Sequence, residues 1–306
     1  VAVIGTGVIG LELGQALHRL GVRVKLFSRG GSVAHLSDPE VLRSATRVLT
    51  EELDIQFQSK VVRAVQEGDE VALTVSDAMG EEKTERFQYV LVATGRRPNV
   101  DGMGLEEAGL ELQENGVPVF DSRTMQCGTR HIFIAGDANN ELPLLAEAAD
   151  HGKIAGENAG RYPDVRPGLR RTPLGIAFTE PNIATLGKNY RTLCEGGRPK
   201  FAIGKVSFEN QGRSRVMLQN KGMLRVYAEY GSCRFLGAEM IGPRGEHTAH
   251  LLAWAVQAHL TVPQMLDMPF YHPVIEEGVR TALRDLAAHL AKGTSHTDAA
   301  DSEPGT

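Results

Sequence analysis

Apolar residues open the chain as a short continuous run, Val1 to Ile4. They return after a glycine-rich break as Ile9, Leu13, Ala16, Leu17 and Leu20 at helical spacing, then as Val22, Val24 and Leu26 at period two. Strand, helix, strand is the expectation. A Ser37-Asp38-Pro39 cap signal starts a second helix that runs through Leu53. Val61 to Val75 with Thr84 to Val92 reads as an antiparallel ribbon around Gly80, feeding a buried strand from Tyr89 to Ala93. Turn residues then dominate from Arg96 to around Gly128. His131 to Ala135 predicts a short strand running into Gly136-Asp137, and a helix follows from Pro143 to Ala159.

The stretch Tyr162 to Arg171 mixes prolines and arginines without an apolar period and marks a linker. Beyond it, Phe201 to Phe208, Arg215 to Gln219, Met223 to Glu229 and Phe235 to Ile241 predict antiparallel strands. Helices are expected over Glu246 to His259 and Glu276 to Ala291. The small, polar and acidic residues Gly293 to Thr306 are expected to be a disordered tail.

Composition narrows the function classes. The 306 residues are 42% hydrophobic and 23% charged, which suits a globular chain of about two domains. A net charge of -5 leaves no basic field for nucleic acid or an anionic membrane, so small-molecule chemistry is expected. The three cysteines, Cys127, Cys194 and Cys233, are scattered and form no C-x-x-C pair. Neither a metal cage nor a disulfide framework is indicated, and a reducing, cytoplasmic setting is expected. No apolar run reaches the roughly 20 residues of a membrane-spanning helix. The chain begins inside a core strand without an initiator methionine, so a fragment of a longer protein is expected.

Gly5-Thr6-Gly7-Val8-Ile9-Gly10 matches G-x-G-x-x-G between a strand and a helix. In that pattern one glycine allows a tight turn, one admits a pyrophosphate against bare backbone, and one lets helix and strand pack closely; the helix N-terminus then supplies N–H groups to the phosphates. NAD sites end the second strand on an acid, which binds the ribose 2′-hydroxyl. Here Ser28-Arg29 stands at that place, and a guanidinium beside a hydroxyl favours the 2′-phosphate of NADP(H), with NAD(H) as the alternative.

Two more strings, Val92-Ala93-Thr94-Gly95-Arg96-Arg97-Pro98-Asn99 and Ile132-Phe133-Ile134-Ala135-Gly136-Asp137-Ala138, make the chain resemble the flavin-dependent pyridine nucleotide-disulfide oxidoreductases. The resemblance implies an α/β fold: a Rossmann-type nicotinamide domain (1–95), the C-terminal part of an FAD domain (96–168) and an α+β dimerisation domain (169–292). It implies FAD and NADP or NAD as cofactors. Gly95 and Arg96 close the nicotinamide domain, Asp137 hydrogen-bonds the ribityl chain, Leu144, Leu145 and Ala146 bring backbone near the flavin, and Glu12 lies near the nicotinamide. Phe178-Thr179-Glu180-Pro181 and Gly237 to Pro243 resemble the domain through which the family forms homodimers.

His272-Pro273-Val274-Ile275-Glu276-Glu277 resembles the His-Pro-x-x-x-Glu segment of dihydrolipoamide dehydrogenases and glutathione reductases, in which the histidine is acid and base towards a dithiol. An imidazole of pKa about 6.5 takes a proton from a thiol of about 8.5, and a carboxylate on its other nitrogen fixes the tautomer. Glu277 is the expected partner and Glu276 the fallback. The resemblance is nearest to dihydrolipoamide dehydrogenase, which implies a dithiol substrate and a 2-oxo acid dehydrogenase complex as the larger assembly. A soluble pyridine nucleotide transhydrogenase, with a nicotinamide acceptor, and a non-catalytic dimerising nucleotide-binding module are the alternatives. The family's first FAD-binding unit and Cys-x-x-x-x-Cys pair do not occur in these residues, so by itself the chain is expected to bind flavin weakly and to lack disulfide reductase activity.

Overall fold

The computed structural model describes residues 1–195 and 200–293. It divides into two units, one formed by Val1–Gly95 with the chain from Thr172 onward, the other by Arg96–Arg171. Strand β1 (Ala2–Ile4), helix α1 (Val8–Arg19) and strand β2 (Lys25–Phe27) open the first unit, and β1 and β2 pair in parallel, Val3 opposite Leu26. Helix α2 (Pro39–Thr50) is capped by Asp38, whose carboxylate accepts from the Glu40 and Val41 amides, with proline at the first turn where no N–H is needed.

Strand β3 (Asp54–Gln56) extends the sheet. Strands β4 (Lys60–Glu67), β5 (Glu70–Ser76) and β6 (Glu82–Phe87) form a separate antiparallel sheet, and β7 (Val90–Val92) returns to pair with β1. The parallel order is β3-β2-β1-β7. The expected two-strand ribbon is therefore three strands, because Gly68 (φ +62) turns the chain between β4 and β5 as Gly80 does between β5 and β6.

Most of the apolar stripe expected to bury α1 faces away from the sheet, with Leu17 packed against the core. Ile9 and Leu13 are each 45% exposed and Leu20 is 81% exposed, whereas Gly10, Leu11, Gly14 and Gln15 are buried. Small residues decide the face: a side chain on Gly14 would come within 3.1 Å of Leu26, so the glycine side is the one that can approach the sheet.

The second unit is rich in turns and bridges. His131 to Ala135 contributes a single bridge, Phe133 to Gln126, instead of a strand. A 3-10 turn (Gly136–Asn139) follows, then helix α3 (Leu145–Arg161). Its core gathers Met125, Ile154 and Ala155, with Phe120, Phe133 and Ala135 against them.

The chain then completes the first unit with β8 (Leu174–Ala177), β9 (Asn182–Gly187), α4 (Tyr190–Cys194), β10 (Phe201–Ser207), α5 (Gly212–Val216), β11 (Met223–Glu229) and β12 (Phe235–Gly242). Helices α6 (Gly245–Gln257), α7 (Val262–Leu266) and α8 (Glu277–Lys292) follow. The antiparallel sheet runs β10-β11-β12-β9-β8, and α6, α7 and α8 close its main core around Leu224, Met240, Leu252, Val279 and Leu283.

Arg215 to Gln219, expected as a strand, is the end of α5 and a turn. The Gln211 side chain caps α5 by accepting from the Ser214 amide, and Leu218 turns left-handed (φ +56). Beyond Gly293, which ends α8 in a left-handed conformation, the expected tail lies outside the described residues. Among the described residues no helix is long and apolar enough to cross a membrane.

Candidate functional site

The glycine loop connects β1 to α1, and two of its glycines are required by backbone contact. Gly5 has φ +115, and a Cβ there would stand 2.3 Å from the Ala93 carbonyl oxygen at the end of β7; a Cβ on Gly10 would stand 2.1 Å from the Gly5 carbonyl oxygen. Gly7 differs. Its φ is -72 and a Cβ would meet nothing within 4 Å, so the space above it is open. Gly7 is also the N-cap of α1 and offers no side-chain cap. The first intrahelical bond is donated by Leu11 to Gly7, so the amides of Val8, Ile9 and Gly10 have no acceptor within the helix. Open space facing free N–H groups at a positive helix end is an anion cradle.

At the end of β2, Ser28 is buried, and its hydroxyl lies 2.7 Å from the Thr6 hydroxyl. Thr6 in turn donates to the Ser32 carbonyl at 2.7 Å, so Ser28 is the donor of that pair and its only hydroxyl proton is engaged. Arg29 is exposed. Of the Ser28-Arg29 pair, the guanidinium is the group presented to solvent.

Glu12 is half-buried, and one of its oxygens accepts from the Phe178 amide at 2.7 Å. Beside it, Gln15 bonds both the amide and the carbonyl of Glu180 and the carboxylate of Glu52, which Arg19 grips at 2.6 Å. The Arg19 bond holds the Glu52 carboxyl below the usual glutamate range, against the opposing effect of burial. Sequence alone did not single out Gln15, a polar residue on a buried helix face.

His272 sits before α8 with an 80% exposed side chain. Its Nδ1 is 2.9 Å from Oε2 of Glu277, the first residue of α8. A carboxylate only accepts, so Nδ1 carries the proton and Nε2 of the neutral ring is a free base. The second Glu277 oxygen accepts from Arg280 at 3.2 Å, and the Arg280 guanidinium lies 5.6 Å from the Phe270 ring centroid. Glu276 is the N-cap of α8 and makes no side-chain cap there. Arg280 escaped the sequence reading; its i,i+3 spacing from Glu277 on a helix was the available signal.

Within the second unit, Asp137 lies in the 3-10 turn with its side chain 52% exposed, and Arg96 is 3.8 Å away. Gly95, the last residue of the first unit, has φ +108. Helix α3 begins without a side-chain cap after Leu144; Leu145 is 89% exposed and Ala146 is exposed. Packing into the core of this unit therefore does not account for Leu145. The turn rests on a partly buried cluster that the sequence did not reveal. Asn139 lies 3.1 Å from Nδ1 of fully buried His151, and Arg170 pairs with Glu141 and Glu147.

Residues 1–152 match the family described as pyridine nucleotide-disulphide oxidoreductase, and residues 174–283 match its dimerisation domain. A mitochondrial dihydrolipoyl dehydrogenase of Caenorhabditis elegans is 31% identical over 301 residues, covering 97% of this chain and 59% of that protein. Dihydrolipoyl dehydrogenase 3 of Pseudomonas putida is 29% identical over 286 residues, 92% of this chain and 60% of that protein. Among solved structures, LpdA of Mycobacterium tuberculosis superposes with a TM-score of 0.79 at 24% identity, covering 92% of this chain and 60% of that one. The chain thus spans about three-fifths of the length of these relatives.

Proposed function

Because the chain belongs to the pyridine nucleotide-disulphide oxidoreductases, we propose that it supplies the nicotinamide site, part of the FAD site and the acid–base histidine of a dihydrolipoyl dehydrogenase-type enzyme. The observation that carries this reading is the His272–Glu277 pair, with Nδ1 tied at 2.9 Å and the ring 80% exposed. Nothing in local packing requires an exposed imidazole oriented by a largely buried carboxylate. A base that must meet a thiol does require one.

The pyrophosphate of the nucleotide rests over Gly7 on the free amides of Val8, Ile9 and Gly10, and Arg29 meets a 2′-phosphate. On the FAD side, exposed Asp137 would accept from a ribityl hydroxyl, and the segment at Leu144, Leu145 and Ala146 would offer the flavin the open amides of Leu145 and Ala146, that of Leu144 being bonded to the Leu142 carbonyl. FAD, when bound, supplies the two-electron relay between nicotinamide and sulfur. Overall a dithiol gives up two electrons and two protons; NAD(P)+ takes a hydride and one proton is released. Nε2 of His272 takes the proton from the attacking thiol, and Glu277 stabilises the resulting imidazolium while Arg280 holds the carboxylate in place.

The match to the dimerisation domain supports a homodimer, and the exposure of His272 suits a base that acts on the partner copy's dithiol. The dithiol is carried by a lipoyl group of a 2-oxo acid dehydrogenase complex. In the whole protein with FAD bound, NADPH or NADH added without oxygen should bleach the oxidised flavin band, and lipoamide should restore it. A flavin that stays oxidised with both nucleotides overturns the reading.

A further inference from the structure

The segment from Ser28 to Asp38 carries Arg29 and is fastened at both ends by residues remote in sequence. At its start, the Thr6 hydroxyl joins Ser28 and Ser32, and the Ala34 amide donates to the Thr6 carbonyl at 3.0 Å. At its end, Glu239 of β12 is fully buried and accepts from the Ser37 amide at 2.7 Å, the Ser37 hydroxyl at 2.6 Å and the Asp38 amide at 3.0 Å. Its fourth bond comes from the Tyr190 amide at 2.8 Å. Between the two anchors, Ala34 (φ +43) and His35 (φ +65) are consecutive left-handed residues with side chains. Such conformations persist only where the surroundings impose them, and a fully buried carboxylate is costly to desolvate. Three of its four bonds go to the last two residues of this segment.

We propose that Glu239 is a positioning residue for nucleotide selectivity. By fixing Ser37 and Asp38 it keeps the strained Ala34–His35 turn and the Thr6 anchorage in register, so that Arg29 stands where the 2′-phosphate arrives. The segment that matches the dimerisation domain thereby also sets the preference for NADP(H) over NAD(H). This rests on the glycine loop being the nucleotide site.

The test is titration calorimetry of the chain with 2′,5′-ADP and with 5′-AMP, which differ only in the 2′-phosphate. The wild type should prefer 2′,5′-ADP by about tenfold, as one charge-assisted contact allows, and Arg29→Ala should erase that preference. Glu239→Gln should cut the preference at least about threefold while leaving 5′-AMP affinity unchanged. A residue that only holds the fold together would weaken both ligands alike and leave the ratio intact. Should Glu239→Gln not fold, Ser37→Ala, which removes from a partly buried side chain the hydroxyl bonds to Glu239 and from the Arg191 amide, should lower the ratio in the same direction. An unchanged ratio in the Glu239 and Ser37 variants, with Arg29→Ala erasing it, overturns the inference and leaves the nucleotide site standing. Equal wild-type affinity for the two ligands does the same. Binding of neither ligand overturns the site and the inference together.

Discussion

Replacing Gly7 and Gly10 separately by alanine should split folding from binding within one loop. At Gly7 the backbone (φ -72) suits alanine and the new methyl meets no protein atom within 4 Å. Stability should therefore change by no more than about 1 kcal/mol, the lost freedom of the unfolded chain being set against alanine's poorer fit at an N-cap. The methyl does fill the space through which a phosphate reaches the free amides. One charge-assisted bond to an amide contributes about 1.5–3 kcal/mol, so nucleotide affinity should fall about 10- to 100-fold. At Gly10 the methyl lands 2.1 Å from the Gly5 carbonyl oxygen, against backbone that cannot readily step aside and beside the Ala93 methyl. Overpacking costs about 3 kcal/mol, alanine's helix preference returns about 1, and the net loss should be about 2 kcal/mol or more. Urea unfolding and nucleotide titration of the two variants read both quantities. Wild-type affinity in a folded Gly7→Ala chain would refute the placement of the phosphates over Gly7.

Asp38→Ala removes the cap of α2, the carboxylate 2.8 Å from buried Arg225 and the acceptor of the buried Tyr227 hydroxyl; unfolding should cost about 3–5 kcal/mol less than in the wild type, as read by urea midpoints. Glu52 is held below its ordinary value by Arg19, so its contribution is present above that ordinary value and is lost as pH falls through the lowered one. Glu52→Gln should accordingly flatten the loss of stability as pH falls through and below the ordinary glutamate range, measured as the shift of the urea midpoint; equal slopes in both proteins would contradict the assignment. Arg280→Met in the whole protein should slow lipoamide turnover while leaving flavin reduction by nucleotide as it was, because Arg280 bonds the carboxylate that orients His272 and its other contact is the Phe270 ring beside it.

Local patterns were readable where one physical signal dominated. Gly-containing turns on either side marked out Met223 to Glu229, and the Asp38-Pro39 cap marked the start of α2. The resemblance of His272 to Glu277 to a His-Pro-x-x-x-Glu segment, more than their spacing, led to the expectation of the two side by side. The sequence misled where two signals competed. Ile9, Leu13 and Leu20 outweigh the glycines in hydrophobicity, yet the glycines choose the buried face of α1 because they permit close approach. Strands β8 and β9 are short and flank Pro181, so no run long enough to show a period survives. Glu239 and Asp38 are 201 residues apart, and Arg225 and Tyr227 reach Asp38 from nearly as far away, so no local window contains such a network. Ser28 looked available for a phosphate because nothing in its neighbourhood announces that Thr6 takes its hydroxyl.

The central claim is that His272 serves the sulfur half of the reaction and the glycine loop serves the nucleotide half. His272→Gln in the whole protein, followed by anaerobic stopped flow, separates the two. Reduction of flavin by NADPH or NADH should proceed at the wild-type rate, while the half-reaction with lipoamide should slow by about 10²- to 10⁴-fold, the range for loss of a general acid–base group. Equal slowing of both half-reactions, or of neither, would contradict the account.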